Sequence, residues 1–353
     1  MTVDAPESTA DTALNDYIST LGAAFARACQ TQPQHTHRLA IAGVTVEMRF
    51  AGATLAQAMA PALAHLNAPG DHAPPDIVLH LWDGPAPTAP PFPNDAYHRY
   101  GQRAVAYRGS VSLMHAPINQ LLYAYDRASR HGFFWTADAA QLSIYERAAP
   151  VQTLFHWALA EYNWQIIHAA AIGTEQGGVL LIGNSGAGKS TTALSCLGQT
   201  GLRFLSDDKC LMRLQPTSEA FALFSSAKIK ADMLERLPHF RSLLAGWDED
   251  YKANKGLVFL HPTYADYLAP SLPIKAILLP AVAHRPHAAL HRVAPTEVFR
   301  QLGPSTVIWL PGAEADNYRF TADLTRRLPC FRLDLAIDPQ RNVDAISALV
   351  ASL

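Results

Sequence analysis

No long apolar run occurs in this chain. None reaches the roughly 18 residues a membrane-crossing helix needs, so no membrane span is expected. Charge of neither sign dominates: Lys and Arg total 28 against 30 Asp and Glu, a formal net charge of −2. Without a basic excess nothing grips a nucleic-acid backbone, which argues against nonspecific DNA or RNA binding. Cysteine is scarce. Cys29, Cys196, Cys210 and Cys330 are scattered without a C-x-x-C pair, so neither a disulfide framework nor a zinc site is expected. The 15 histidines include His35 and His37, and His284, His287 and His291, but no acid or cysteine stands at ligand spacing beside them. Met1–Glu7 is acidic and polar rather than basic then apolar, so a secretory signal is not expected. No internal repeat stands out. These absences leave a soluble, cytoplasmic protein as the expectation.

What is present is ample core material. Apolar residues make up 49% of 353 and charged residues 16%, enough for two domains of ordinary size. Residues 1–36 read as a flexible leader and one helix, roughly Ala10–Gln30. Residues 37–150 read as a smaller α+β domain. It holds two alternating runs around Gly43, a helical stretch Leu55–Leu66, a strand Asp76–Trp82 and, after it, a proline-rich exposed loop to Pro93. Short runs at Arg103–Arg108, Ser110–His115, Leu121–Asp126, His131–Thr136 and Leu142–Tyr145 have the regular spacing of an antiparallel sheet. No chemistry is legible there; a scaffold or a substrate-binding domain fits. Residues 151–353 form the second domain. It opens with a helix Val151–Asn163 and includes a central strand Pro273–Pro280, helices Thr296–Leu302 and Asp316–Arg327, a last strand Phe331–Leu335 and a terminal helix from Val343.

Within that domain, Gly183-Asn184-Ser185-Gly186-Ala187-Gly188-Lys189-Ser190 is a complete G-x-x-x-x-G-K-[ST] phosphate loop. It follows the apolar run Gly178–Ile182 and opens a helix-like run from Thr191 that stops near Gly198. Glycines let backbone N–H groups curl around phosphate oxygens, and the helix N-terminus adds partial positive charge. In this motif Lys189 neutralises the β/γ-phosphates and the Ser190 hydroxyl ligates Mg²⁺.

Eighteen residues beyond Lys189, an apolar run ends in Ser206-Asp207-Asp208. A carboxylate pair at a strand end can divide labour, one holding Mg²⁺ and the other accepting a proton from an attacking hydroxyl. Upstream, Gln165–Gly173 reads as a strand turning into the loop strand through Thr174–Gly177. If Gly173 pairs with Gly178, counting back sets His168 opposite Gly183. Lys228 and Lys230 share one face of a short strand. Trp247–Gly256 reads as a polar loop whose Lys252 or Lys255 could hold charge on a transferred phosphoryl group.

Three segments, Ile167-His168-Ala169-Ala170-Ala171, Gly183–Ser190 and Leu205-Ser206-Asp207-Asp208, resemble the HPr kinase/phosphorylase family, whose core is related to phosphoenolpyruvate carboxykinase. The resemblance is clear over about residues 150–215. It implies an α/β fold with a P-loop domain built on a mixed sheet, ATP and Mg²⁺ as cofactors, and a serine hydroxyl as acceptor. Carried over by residue, Gly183 to Thr191 bind nucleotide and Ser190 and Asp207 hold Mg²⁺. Asp208 is the base, Lys189 binds phosphate and His168 assists. The HPr-specific enzymes usually have Asp where Asn184 stands and Ser-Glu where Ser190-Thr191 stand. Their later Gly- and Arg-containing signature has no clear counterpart, which leaves HPr as substrate, the reverse phosphorylase reaction and a hexamer without support. The pattern looks closer to the HPr-kinase-like proteins found with bacterial peptide-modification genes, including lasso-peptide kinases. The expectation is therefore an ATP-dependent kinase acting on serine of a peptide or protein. A small-molecule kinase and a nucleotide-binding regulatory module stand as alternatives, and a homo-oligomer is left open.

Overall fold

The structure, a computed structural model, describes residues 9–68, 70, 73–92, 103–199, 201–249, 254–312 and 314–353. The chain forms an α/β fold of two compact units. The first comprises Met1–Ala60, Leu66–Leu142 and Val151–Tyr162; the second comprises Pro61–His65, Ser143–Pro150 and Asn163–Leu353. The helix Gln152–Leu159 thus belongs to the first unit.

The first unit is a seven-stranded sheet of β1 (Gln34–Ile41), β2 (Val44–Ala51), β3 (Ile77–Asp83), β4 (Ala104–Arg108), β5 (Val111–Ala116), β6 (Leu121–Asp126) and β7 (His131–Thr136), in the order β1-β2-β3-β7-β6-β5-β4. Ala42 and Gly43 both take positive φ, the geometry a two-residue hairpin turn needs. The helix Thr9–Thr31 buries Leu14, Tyr17, Leu21 and Phe25, one stripe at helical spacing, in a cluster with Trp82, Phe133 and Trp135. Two expectations fail here. The sheet is mixed, because β3 lies between β2 and β7 and runs parallel to both. Leu142–Tyr145 is not a strand: Ser143 accepts a hydrogen bond from the Glu146 amide at 3.2 Å and caps the helix Ile144–Ala148. Ser143-x-x-Glu146 is a helix-start pattern that overrode a short apolar run.

The second unit holds β8 (Gln165–Ile167), β9 (Ala170–Gly173), β10 (Gly178–Leu181), β11 (Arg203–Ser206), β12 (Cys210–Arg213), β13 (Glu219–Ala222), β14 (Ser226–Lys230), β15 (Leu244–Asp248), β16 (Lys255–Phe259), β17 (Ser271–Arg285), β18 (Ala289–Arg292) and β19 (Cys330–Ala336). Its main sheet runs β11-β9-β10-β17-β13-β12-β8, with β19 beside β17 and β18 beside β19; β14, β16 and β15 make a separate small sheet. Strands β10, β17 and β19 are mutually parallel neighbours. Both faces of β10 are covered, which is why its sequence is continuously apolar. Val179 and Leu181 pack under the helices Lys189–Cys196 and Pro339–Ala351, while Leu180 and Ile182 pack under Pro295–Trp309 and Glu314–Arg327. Strand β17 is central, as its apolar run implies. The ends of the expected polar loop Trp247–Gly256 are strand, Trp247 and Asp248 in β15 and Lys255 and Gly256 in β16, with Asp248 paired to Lys255; Lys252 lies outside the described residues.

Candidate active site

The site grows from two strand breaks at one height. Gly173 pairs with Gly178 and Ala170 with Leu181, the register read from the sequence. The pairing ends there, two residues short of His168 and Gly183. The expected strand Gln165–Gly173 is not continuous, however. It breaks at His168-Ala169, so that β9 pairs with β10 and β11 while β8 pairs with β12. The neighbouring segment β11–β12 breaks at the same level, at Asp207–Lys209: Ser206 is matched with Ala171 and Cys210 with Ile167. Side chains in a continuous ladder alternate between covered faces. The paired breaks free His168, Asp207 and Asp208 from that alternation and turn them towards the phosphate loop.

In the loop, Ile182 still donates to Leu278 O, and Ala187 donates to Asn184 O at 3.1 Å. Asn184, Ser185 and Gly186 are exposed at the tip, and a Cβ at Gly186 would meet nothing within 4 Å. Gly188 has φ +97, which favours glycine, and a Cβ there would lie 2.5 Å from Leu335 Cδ1, so the Leu335 side chain would have to shift. The helix then starts at Lys189, leaving its first-turn amides directed outward. Lys189 is buried, and its Nζ donates to Gly183 O at 2.5 Å. Burial lowers the Lys189 ammonium, with Asp208 and Asp207 opposing and Lys255 and Lys228 adding to the fall. Thr191, half-buried in the first turn, accepts from the Ser195 hydroxyl through its carbonyl.

The two aspartates are held differently. Asp207 is buried; its Oδ2 accepts from the Lys228 amide at 3.1 Å, and its Oδ1 has no hydrogen-bond partner. Burial raises its carboxyl and Asp208 adds to this, against Lys228 and the Ser190 hydroxyl. Asp208 is held from both sides: His168 Nε2 lies 2.9 Å from Oδ1, and the ammonium groups of Lys228 and Lys209 lie 3.0 Å and 3.3 Å from Oδ2. Burial alone would raise its carboxyl; Lys228, Lys209 and His168 overcome that and hold it well below the usual carboxylate range. The same contacts reverse the effect of burial on Lys228, whose ammonium is raised by Asp208 and Asp207.

A Mg²⁺ ion fits the donor set. Asp207 keeps one buried oxygen without a hydrogen-bond partner and lies near enough to the Ser190 hydroxyl for its carboxyl to be lowered by it, and a hard cation takes oxygen ligands of this kind together with phosphate oxygens. Neither a protein-family model nor a curated protein matches the chain. Solved structures do match, one of them an enzyme whose name states its activity. It is the Hpr(Ser) kinase/phosphatase from Coxiella burnetii, 12% identical over 53% of this chain and 95% of that chain, with a TM-score of 0.29. Likeness at that level leaves the chemistry to be read from the site itself.

The structure brings together His168, the loop Gly183–Ser190, Asp207 and Asp208. Of the two strand lysines, Lys228 joins them while Lys230 is exposed further out, cross-strand from Lys255. Lys255 still feels the centre: burial and Lys228 lower its ammonium, and Asp208 and Asp207 raise it. Sequence reading passed over Lys209 and Thr306. Lys209 follows the acid pair directly, and adjacency to a strand break was its signal. Thr306 is buried in the helix Pro295–Trp309, and its hydroxyl accepts from the His168 amide at 3.4 Å; 138 residues of separation gave no signal. Among the described residues no helix is long and apolar enough to cross a membrane.

Proposed function

We propose that the site transfers the γ-phosphate of ATP, with Mg²⁺, to a hydroxyl group, and that the acceptor is a serine of a peptide or protein. One observation supports this most directly. Two adjacent carboxylates beside a phosphate loop are held in different states, Asp207 buried with a free oxygen and Asp208 charged and exposed at 28% of its side chain. A module that only bound nucleotide would have no use for the second. When bound, Mg²⁺ spreads the charge of the phosphate oxygens. Ser190 and Asp207 are the residues that would hold it.

The loop amides and Lys189 bind the β- and γ-phosphates, and Lys189 leaves the Gly183 carbonyl to do so. Asp208 accepts a hydrogen bond from the acceptor hydroxyl and aims its oxygen at the γ-phosphorus. The new P–O bond forms as the bond to the β–γ bridging oxygen breaks, and ADP leaves. A carboxylate held this far down is a weak base. A loose transition state suits it, because the proton need move only after the alcohol oxygen has begun to bond phosphorus. His168 and Lys209 keep Asp208 oriented, while Lys228 and Lys255 add positive charge near the transferred group.

The test is label transfer from γ-labelled ATP to a panel of serine peptides and small alcohols. Label on a peptide supports the reading. Label only on a small alcohol keeps the phosphotransfer and replaces the acceptor. ATP bound with no transfer to any acceptor contradicts the reading.

A further inference from the structure

Near the carboxyl ends of the parallel neighbours β17 and β19, the fold leaves two branched apolar side chains in solvent. Val282, near the end of β17, is 54% exposed, and Ile337, the residue after β19, is 66% exposed. Apolar residues scattered singly over a surface need no explanation. These two are neighbours. Val282 is the register partner of Leu335, and the Ile337 amide donates to Arg285 O at 2.9 Å, which ties it to the end of β17.

They also share the loop's side of the sheet. Ala276 and Leu278 on β17, and Leu333 and Leu335 on β19, pack in the cluster under the helix Lys189–Cys196. Strand alternation carries Val282 onto that same face, and Ile337 follows directly on the last residue of β19, two positions beyond Leu335. Leu335 is the link to the loop, since a Cβ at Gly188 would lie 2.5 Å from its Cδ1. An apolar strip therefore begins beneath Gly188 and continues outward through Val282 and Ile337.

The order β11-β9-β10-β17, with β19 next, sets the two ends of the site apart. Asp207 and Asp208 follow β11 on one side of the loop strand; the strip lies on the other. A nucleotide whose γ-phosphate faces the aspartates must extend its nucleoside away from them. Ligands of parallel α/β sheets bind beyond the carboxyl ends of the strands, where Val282 and Ile337 stand.

We propose that Val282 and Ile337, beside Leu335, form the shelf on which the base of the nucleoside triphosphate rests. The inference builds on the phosphate-loop reading and adds a separate subsite to it. The flat face of the base covers the two exposed side chains, and the loop holds the phosphates independently.

Isothermal titration of Mg²⁺-ATP and of Mg²⁺ with inorganic tripolyphosphate separates the two subsites. Val282→Asn and Ile337→Ser are neutral changes at exposed positions, so they add no charge to repel phosphate. Each is expected to weaken ATP about 10-fold, the scale of a lost apolar contact in a pocket, and to leave tripolyphosphate affinity unchanged. ATP affinity unchanged in both variants would overturn the shelf while leaving the phosphate loop standing. Equal weakening of ATP and tripolyphosphate would overturn it too, by locating the effect in the loop. A wild-type protein that binds neither ligand would overturn both the shelf and the phosphate-loop reading.

Discussion

His168 Nε2 lies 2.9 Å from Asp208 Oδ1, although the two residues are 40 positions apart. The contact exists because β8–β9 and β11–β12 break at the same height. Its geometry makes Nε2–H the donor, so in the neutral ring Nδ1 is the acceptor, and that atom is buried without a partner. His168 thus orients Asp208 without itself reaching for the phosphates. His168→Ala is expected to slow transfer less than Asp208→Asn does, with ATP affinity maintained. His168→Gln, which restores an N–H donor, is expected to recover part of the rate. Equal rates in the alanine and glutamine variants would contradict a hydrogen-bonding role.

Asp207 is costly in the protein without metal. Its carboxyl is raised, so in the folded state its charged form is disfavoured, and its stabilising contribution is present below the unfolded value of 3.8 and lost as pH rises. At neutral pH, Asp207→Asn is therefore expected to stabilise the metal-free protein by about 1–3 kcal/mol, the scale of a buried unsatisfied polar group. Thermal melts with and without Mg²⁺ check this: the variant melts higher without metal and gains less than wild type from Mg²⁺ with ATP. A lower melting point, with the Mg²⁺ gain intact, would contradict the assignment.

Lys228 and Asp208 stabilise each other over a defined pH window. Asp208 is depressed, so its contribution is present above 3.8 and is lost as pH falls through its folded value. Lys228 is raised, so its contribution is full below 10.5 and is lost as pH rises beyond it. Lys228→Met is expected to cost about 2 kcal/mol, the scale of a hydrogen bond to a charged group. In denaturant titrations that difference should be flat from about pH 5 to pH 9 and shrink at both extremes. The double variant with Asp208→Asn should lose less than the two single losses added together, because the residues share a contact.

Gly188→Ala forces a non-glycine residue to φ +97 and drives its Cβ into Leu335. The backbone strain alone is worth about 1–2 kcal/mol. Adding Leu335→Ala relieves the clash but not the strain, so stability should recover only in part, as equilibrium unfolding will read. Phosphate binding should stay weak in both, since the loop amides have moved.

Much of this was legible in the sequence because it rests on local rules. The phosphate loop is a contiguous motif, and the Gly173–Gly178 register followed from a four-residue turn, Thr174–Gly177. Counting on from that register set His168 opposite Gly183 in the sequence reading, whereas the paired register itself ends at Ala170 and Leu181. What escaped depends on contacts across the chain or on a competing local signal. Thr306 reaches His168 from a helix far downstream. Lys228 and Lys230 looked equivalent by alternation, and only tertiary placement sends the first to Asp208 and leaves the second in solvent. The β15–β16 hairpin was hidden by polar residues on a small, half-exposed sheet, where apolar alternation is weak. The parallel placement of β3 between β2 and β7 is a topological fact that strand patterns do not encode.

The most direct test of the account is phosphotransfer at saturating Mg²⁺-ATP by wild type and Asp208→Asn, followed as γ-label appearing on a serine peptide, with ATP affinity measured in parallel. The account predicts transfer by wild type, a fall of about 10²–10⁴-fold in the variant and closely similar ATP affinity in both. Transfer by Asp208→Asn at the wild-type rate would contradict it.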